Sequence, residues 1–229
     1  MGKNGNTEMS KKRLTAAIIL AAGSSSRMER QQHKLLLPLG DRPVVAHVVE
    51  AVLASRAQPI LVVLGHQAEH VRAALADYSS NKRILFVENP EYKQGMSTSL
   101  HAGLQAMNGL TSTVLEAIDG AIVLLGDQPL ITARVVDMLI GTREETVKKI
   151  VAPLYNGRRG NPVVFSVDLF SELMTVTGDE GGRSVVEHHR QDIATVEVGD
   201  SAASSDVDTW SAYQQVIVEW QRQQERREE

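Results

Sequence analysis

The sequence predicts an α/β protein built on a mostly parallel sheet that is buried on both faces. Short aliphatic runs alternate with segments of helical periodicity along the 229 residues. Apolar residues make up 42% of the chain and aromatic residues only 4%, so the core is aliphatic, as is typical of strands covered by helices on both sides. Because the strands and helices alternate, we expect right-handed βαβ units and therefore parallel strands.

The elements follow from local hydrophobic patterns. Seven aliphatic runs are predicted as strands: residues 16–20, 60–64, 84–87, 121–125, 150–154, 162–165 and 193–198. Seven segments with apolar residues at i, i+3 and i+4 are predicted as amphipathic helices: residues 44–54, 68–77, 96–107, 133–140, 167–174, 183–189 and 209–220. We interpret residues 13–222 as a single domain, with residues 1–12 as a flexible leader and residues 223–229 as a polar tail that frays.

Composition excludes several classes of function. The net charge of −4 argues against general nucleic-acid binding, which depends on a basic surface. The chain has no cysteine, which excludes disulfides and thiolate metal sites. No apolar run approaches the roughly 20 residues that a membrane span requires. Residues 11–22 resemble a short signal peptide. Cleavage there would remove the first predicted strand, so we do not interpret the segment as a signal peptide. We therefore expect a cytoplasmic protein.

A glycine-containing polar turn follows the first predicted strand, in the segment Leu-Ala-Ala-Gly-Ser-Ser-Ser-Arg-Met at residues 20–28. Glycine lets the backbone approach a ligand, and successive N–H groups can point at phosphate oxygens. Arg27 adds a planar fork of donors, and Lys34 adds a compact charge. The segment therefore predicts a nucleoside triphosphate site. The alternative is a plain turn whose serines cap a helix.

Acidic residues follow two later elements. Asp127 comes directly after the strand at 121–125, and a carboxylate there suits Mg²⁺ bound together with substrate phosphates. The alternative is that Asp127 caps the next helix. Asp206 and Asp208 precede the last predicted helix. For Asp206, helix capping and metal binding remain equally open, whereas for Asp208 we favour metal binding.

The predicted strand ends should converge, because open α/β sheets bind ligands outside the carboxyl ends of their strands. Four polar segments lie at such ends: residues 20–24, His66, residues 88–90 and residues 126–129.

Two basic turns further along the chain, residues 158–162 and 178–183, are either solvated or form a cradle for an anionic second substrate. His188 and His189 lie on one predicted helix, where adjacent side chains do not face each other, so we expect no shared metal site there.

Taken in order, these segments resemble the MobA-like nucleotidyltransferases, and among them the MocA-like molybdenum cofactor cytidylyltransferases. The resemblance runs from about residue 16 to residue 213 and is carried by residues 20–28, 34–40, 89–92, 95–100, 126–130, 159–165 and 178–183. It implies a three-layer α/β/α sandwich of the nucleotide-diphospho-sugar transferase type, with a Rossmann-like, mostly parallel sheet. Glu29 and His33 stand where the family usually has glycine and proline.

The resemblance also implies roles for single residues. The backbone of Leu20, Ala21, Ala22 and Gly23 would read the base, Arg27 and Lys34 would bind the triphosphate, and Asp127 and Asp208 would hold Mg²⁺. Catalysis would rest on Arg27, Lys34 and Asp127. The nucleotide site would further include Ser24, His66, Asn89, Gly95 and Ser97, and the second-substrate site Gln128, Arg159, Asn161 and Arg183. In the family Leu-Ala-Ala-Gly accompanies cytidine and Leu-Ala-Gly-Gly accompanies guanylyl transfer, so Ala22 indicates CTP.

The implied reaction transfers CMP from CTP to a molybdopterin-type molybdenum cofactor and releases pyrophosphate, and a molybdenum hydroxylase would be the client of the product. Two alternatives remain open. The second substrate could be a sugar or polyol phosphate, which the residues around Arg159 and Arg183 would decide. The chain could also be a non-catalytic carrier of the finished cofactor, which would bind nucleotide without releasing pyrophosphate.

Overall fold

The computed structural model describes residues 13–24, 28, 33–199 and 201–228. Its strands are β1 (Leu14–Ala21), β2 (Pro38–Leu39), β3 (Arg42–Pro43), β4 (Ile60–Leu64), β5 (Ile84–Glu88), β6 (Ile118–Leu125), β7 (Ile150–Tyr155), β8 (Arg158–Arg159), β9 (Val163–Ser166) and β10 (Ile193–Glu197). Its helices are α1 (Val44–Leu53), α2 (Ala68–Ala74), α3 (Met96–Ala106), α4 (Ser112–Leu115), α5 (Ala133–Glu145), α6 (Phe170–Leu173), α7 (Arg183–His188) and α8 (Trp210–Glu228). Within these ranges no helix has the length and apolar character that crossing a membrane requires.

Eight strands form one central sheet in the order β10-β7-β9-β6-β1-β4-β5, with β8 paired to β7, while β2 and β3 form a separate hairpin. The pairs β1–β4, β1–β6, β4–β5 and β7–β10 are parallel, which confirms the predicted mostly parallel sheet. Strand β9 runs antiparallel to both β6 and β7. Only residues 156–162 separate β7 from β9, and parallel neighbours need a crossover of roughly a dozen residues or more.

Helices cover both faces of this sheet, as the family resemblance implied. Successive side chains of a strand point to opposite faces, and in β1 the odd-numbered residues join a core cluster with α1 and α5, for example Ile19 with Val48 and Leu139. The even-numbered residues join a second cluster on the other face, for example Ile18 with Leu100 of α3. The chain is therefore a three-layer α/β/α sandwich.

A third apolar cluster attaches helix α8 to the segment between β1 and α1. Tyr213 and Val216 of α8 pack with Leu37 and Leu39, and the Tyr213 hydroxyl donates to the carbonyl of Pro38. The helix continues to Glu228, through most of the segment that we expected to fray beyond residue 222. Its glutamine, arginine and glutamate residues are good helix formers, so their polarity does not end the helix.

The packing of α3 on the sheet yields a stability prediction. A Cβ atom added at Gly103 would lie 2.5 Å from Ile18 Cγ2, whereas one added at Gly109 would have no heavy atom within 4 Å. We expect Gly103→Val to lower the free energy of unfolding by about 1–3 kcal/mol through overpacking. Gly109→Ala is the matched control and should change it little. Urea denaturation measures both, and native stability of Gly103→Val would contradict the packing described.

Candidate active site

The loops that follow three neighbouring strands meet at the carboxyl edge of the sheet. The backbone N–H of Gly126, after β6, donates to the carbonyl of Leu20 at 2.9 Å, and that of His66, after β4, donates to the carbonyl of Ala22 at 3.1 Å. A Cβ at Gly126 would lie 3.0 Å from the Leu20 oxygen, a tight contact, so the close approach favours glycine. The predicted convergence of these segments is therefore present in the structure.

The turn after β1 presents backbone to open space. Ala21 and Ala22 are buried, and Gly23 and Ser24 are exposed. Among the described residues, no heavy atom lies within 4 Å of the position that a Cβ at Gly23 would take, which leaves space at this turn within the part of the chain that the structure describes. Arg27 lies outside the described residues, as do residues 25–26 and 29–32.

Lys34, Asp127 and Asp208 form a charge cluster beside this turn. Lys34 opens a short 3₁₀ turn, Lys34–Leu36. Its Nζ atom donates to Asp127 Oδ2 and, at 2.6 Å, to Asp208 Oδ1, with the lysine side chain 14% exposed. Burial alone would lower the pKa of Lys34, but the Asp127 and Asp208 carboxylates outweigh burial and raise it. Lys34 is therefore fully charged, and it joins two segments that are far apart in the sequence.

Asp206 adds a third carboxylate to the cluster. Its Oδ1 accepts a 2.6 Å hydrogen bond from Gln128 Nε2, and the backbone N–H of Val207 donates to the Asp127 carbonyl at 2.9 Å. Burial, and then the neighbouring Asp127 carboxylate, raise the pKa of Asp206 to about 6. The sequence left open whether Asp206 or Asp208 binds a metal. In the structure Asp208 pairs with the same Lys34 ammonium as Asp127, whereas Asp206 accepts a hydrogen bond from Gln128.

The cluster is suited to a divalent cation. Asp127 and Asp208 already share one cation, the Lys34 ammonium, and the Asp127 carboxylate adds to the effect of burial in raising the pKa of Asp206. Mg²⁺ binds through one or two carboxylates and completes its shell with phosphate oxygens and water. The donor set of Asp127 and Asp208 therefore fits Mg²⁺ or Mn²⁺.

His33 is a site residue that the sequence analysis did not assign. It is 6% exposed, its Nε2 donates to the carbonyl of His66 at 3.1 Å, and the two imidazole rings stack with centroids 5.4 Å apart. His66 in turn lies 5.9 Å from the ring of Tyr92. Burial lowers the pKa of His33, so the ring is neutral. Its hydrogen bond and its stacking on His66 hold this residue, which directly precedes Lys34, in place. Its departure from the usual family residue was the only signal in the sequence.

Two predicted nucleotide contacts lie inside the protein. Asn89 and Ser97 are 4% and 2% exposed. Asn89 Nδ2 donates to Thr98 Oγ1 at 2.9 Å and to Ser99 Oγ at 3.0 Å, which holds the end of β5 against α3. In this arrangement Asn89 positions α3, and its amide is not presented to a ligand at the surface.

Gly95 joins the start of α3 to the second glycine-rich turn. Its φ is +115°, and a Cβ there would lie 2.4 Å from the carbonyl carbon of Gly178. The backbone N–H of Met96 donates to Asp179 Oδ1 at 3.1 Å. The turn that leads into α7 therefore rests on the first turn of α3.

The residues assigned to the second substrate divide into two groups. Arg159 and Arg183 are exposed, and Arg159 forms a 3.3 Å ion pair with Glu187 of α7, the helix that Arg183 begins. Gln128 is buried and donates to Asp206, whereas the two arginines are exposed. Asn161 is half-buried, and its carbonyl accepts the hydroxyl of Tyr155 at 2.7 Å.

The buried, neutral His33 gives a pH prediction. Its pKa is below the ordinary 6.5, so acidification below pH 6.5 favours the unfolded chain, which binds the proton more readily. We expect the free energy of unfolding to fall less between pH 7 and pH 5 in His33→Gln than in the native chain. Asp206 acts in the opposite sense and is common to both proteins. His70→Gln is the control, because it removes an exposed imidazole that makes only the smallest contribution to the lowered pKa of His33, and it should change the pH profile much less. Identical pH profiles for all three proteins would contradict the role of His33.

Comparisons with known proteins identify the family of the chain. Residues 17–193 match the model of the MobA-like NTP transferase domain. The bifunctional protein GlmU of Geobacillus sp. (strain WCH70) is 36% identical over 125 residues, which is 54% of this chain and 24% of GlmU. The chain thus spans about a quarter of the length of such curated relatives.

Solved structures share the fold over most of the chain. Rv0371c from Mycobacterium tuberculosis H37Rv is 26% identical with a TM-score of 0.74, covering 92% of this chain and 100% of that one. A second structure of it, described as a complex with manganese, is 25% identical with a TM-score of 0.71, covering 90% and 99%. Mth528 from Methanothermobacter thermautotroptrophicus, described as a nucleotidyl transferase, shares the fold at 24% identity with a TM-score of 0.76, covering 92% and 99%. The chain belongs to the MobA-like NTP transferase family.

Proposed function

We propose that the chain is a Mg²⁺-dependent cytidylyltransferase, which transfers CMP from CTP to the terminal phosphate of a molybdopterin-type molybdenum cofactor and releases pyrophosphate. The observation that carries the proposal is the pair Asp127 and Asp208, which face one cation beside the exposed turn of Gly23 and Ser24. Two carboxylates and an ammonium at the mouth of a backbone turn are the groups that a metal-bound triphosphate requires.

The choice of CTP rests on Ala22. In the family, alanine at this position accompanies cytidine and glycine accompanies guanylyl transfer. A Cβ at Gly65 would lie 2.7 Å from the Ala22 Cβ, so the alanine methyl group fills the space against the loop after β4. Because the carbonyl of Ala22 is also held by His66, the base would meet a rigid backbone edge.

The chemistry needs little more than placement. A phosphate monoester has a second pKa of about 6, so it is largely dianionic at neutral pH and needs no general base. One of its oxygens forms a bond to the α-phosphorus of CTP, the bond from that phosphorus to the bridging oxygen breaks, and pyrophosphate leaves with the electron pair. When bound, Mg²⁺ would neutralise charge on the phosphate oxygens.

Lys34 is the described side chain best placed to assist this step. Its ammonium has three donors, and the charge that builds on the leaving pyrophosphate favours a preorganised cation. Asp127 and Asp208 both bind this ammonium in the structure. A divalent cation between the two carboxylates would displace the ammonium, which would then bind a phosphate oxygen. Arg27 would add a second cation, on the evidence of the family resemblance alone.

Arg159 and Arg183 would receive the second substrate. Guanidinium groups match the geometry of phosphate oxygens, and both side chains are exposed. Arg159 is held toward α7 by Glu187, and the turn preceding Arg183 contacts the start of α3 through Asp179. The same two arginines would also accept a sugar or polyol phosphate, which is the second candidate function.

Parallel reactions with different nucleotides and phosphate acceptors test the proposal. We expect pyrophosphate release when the chain, Mg²⁺ and molybdenum-loaded molybdopterin are mixed with CTP, and none when GTP replaces CTP. Sugar and polyol phosphates form parallel reactions with CTP. Pyrophosphate release with a sugar or polyol phosphate, and not with molybdopterin, would support the second candidate function. CTP binding without pyrophosphate release in any reaction would support a non-catalytic carrier that serves a molybdenum hydroxylase.

The role of Lys34 is tested by substitution. We expect Lys34→Ala to lower kcat by roughly 100-fold or more, because removal of one preorganised donor to a developing charge has an effect of that size. Lys82→Ala, an exposed lysine in the loop before β5, is the matched control and should keep native kinetics. Thermal unfolding with Mg²⁺ present verifies that both variants fold. Native kcat in folded Lys34→Ala would contradict its assignment.

A further inference from the structure

A second group of metal-ligand side chains lies away from the charge cluster. Glu172 of α6 accepts hydrogen bonds through both carboxylate oxygens, from His188 Nδ1 at 2.8 Å and from His189 Nε2 at 2.7 Å. The potential ligand atoms of these three residues all lie within 4.8 Å of one another. No residue assigned to the nucleotide or the second substrate belongs to this group.

The two histidines converge because the helix ends between them. His188 is the last residue of α7, and His189 has left the helix, with φ −98° and ψ 33°. Their rings lie 4.8 Å apart at 41°, so both can face one partner. The expectation that these adjacent side chains do not face each other assumed helical geometry at both residues, whereas in the structure both rings bind the carboxylate of Glu172.

The partner carboxylate is fixed by packing. Leu173, next to Glu172 in α6, and Val185 of α7 belong to the same buried core cluster, so both short helices are anchored in one apolar core. The three side chains therefore meet without any rearrangement of the backbone.

We propose that Glu172, His188 and His189 form a binding site for Zn²⁺. Imidazole nitrogen and carboxylate oxygen are zinc ligands, whereas Mg²⁺ prefers oxygen alone. Tetrahedral zinc with bonds of about 2.0–2.1 Å places its ligand atoms about 3.3 Å apart. The two imidazoles now bind different oxygens of the carboxylate, at 2.8 and 2.7 Å, and one ligand atom from each residue lies within 4.8 Å of the other two. Side-chain movements of about 1.5 Å or less would bring the three atoms to that spacing.

Charge and access favour an ion at this place. Hydrogen bonds from His189 and His188 lower the pKa of Glu172, which keeps the carboxylate negative at neutral pH. Zinc would bind the two nitrogens that now donate to the carboxylate, and each neutral imidazole would then carry its proton on the other ring nitrogen. The His188 side chain is 75% exposed, so water can reach the ion and complete its coordination.

A bound ion would also restrain the second glycine-rich turn. Residues 173–187 run from α6 to α7 and contain the turn 178–182 and Arg183. Zinc bound by Glu172 and His188 would link the two residues that flank this segment. Hydrogen exchange of its backbone amides should therefore slow when zinc binds. This site does not depend on the proposed nucleotidyl transfer.

Metal titration tests the proposal directly. The untagged full chain, with excess Mg²⁺ to occupy the carboxylate cluster, is titrated with Co²⁺, whose visible absorption reports nitrogen and oxygen ligation, and Zn²⁺ then competes. We expect one ion per chain, and at least roughly tenfold weaker binding in both His188→Ala and Glu172→Gln. Glu187→Gln, a neighbouring carboxylate that pairs with arginines, and exposed His70→Ala are matched controls and should bind as the native chain does.

The outcomes separate clearly. On addition of Zn²⁺, hydrogen exchange across residues 173–187 should slow in the native chain and in the controls, but in neither site variant. That result supports the site. Zinc binding of equal strength in the native chain and in folded His188→Ala overturns it, as does the absence of binding to the native chain. His188→Ala removes a mostly exposed side chain, so the test remains decisive even if Glu172→Gln fails to fold.

Discussion

The burial of β1 on both faces is the constraint on which the active-site edge depends. Every residue of this strand after Leu14 is buried, between β6 on one side and β4 on the other. Such a strand can offer only its backbone and small side chains at its carboxyl end, which is why it ends at Ala21 and is followed by Ala22 and Gly23. Polar and charged groups must then come from neighbouring loops, and the glycines at 65 and 126 let those loops approach closely.

Charge pairing organises the edge that this packing creates. A mostly buried ammonium and the carboxylates around it are tolerated only when they are paired, so Lys34, Asp127 and Asp208 hold three distant segments together. The apolar cluster between α8 and residues 37–39 supports the same assembly from outside. The last helix therefore contributes to the site without a side chain in it, since it anchors the loops that carry Lys34 and Asp208.

Much of the fold follows from sequence periodicity, because aliphatic runs flanked by polar turns mark buried strands. The antiparallel direction of β9 depends on the length of a connection, which periodicity does not report. Convergence at strand ends predicted that the turn after β1, His66 and Asp127 would lie together. The stacking of His33 on His66, the pairing of Gln128 with Asp206, and the meeting of His188 and His189 at Glu172 could not be predicted, since each depends on local backbone angles or on contacts between distant segments.

The central claim is that Asp127 and Asp208 enclose the cation position that serves a bound triphosphate. The most direct measurement is a crystal structure with Mn²⁺ and a CTP analogue carrying a methylene bridge between its α- and β-phosphates, the ion being located by anomalous scattering. We expect Mn²⁺ between these two carboxylates and Lys34 Nζ moved onto a phosphate oxygen. Mn²⁺ bound elsewhere, or Lys34 still paired with both carboxylates while the analogue is bound, would contradict it.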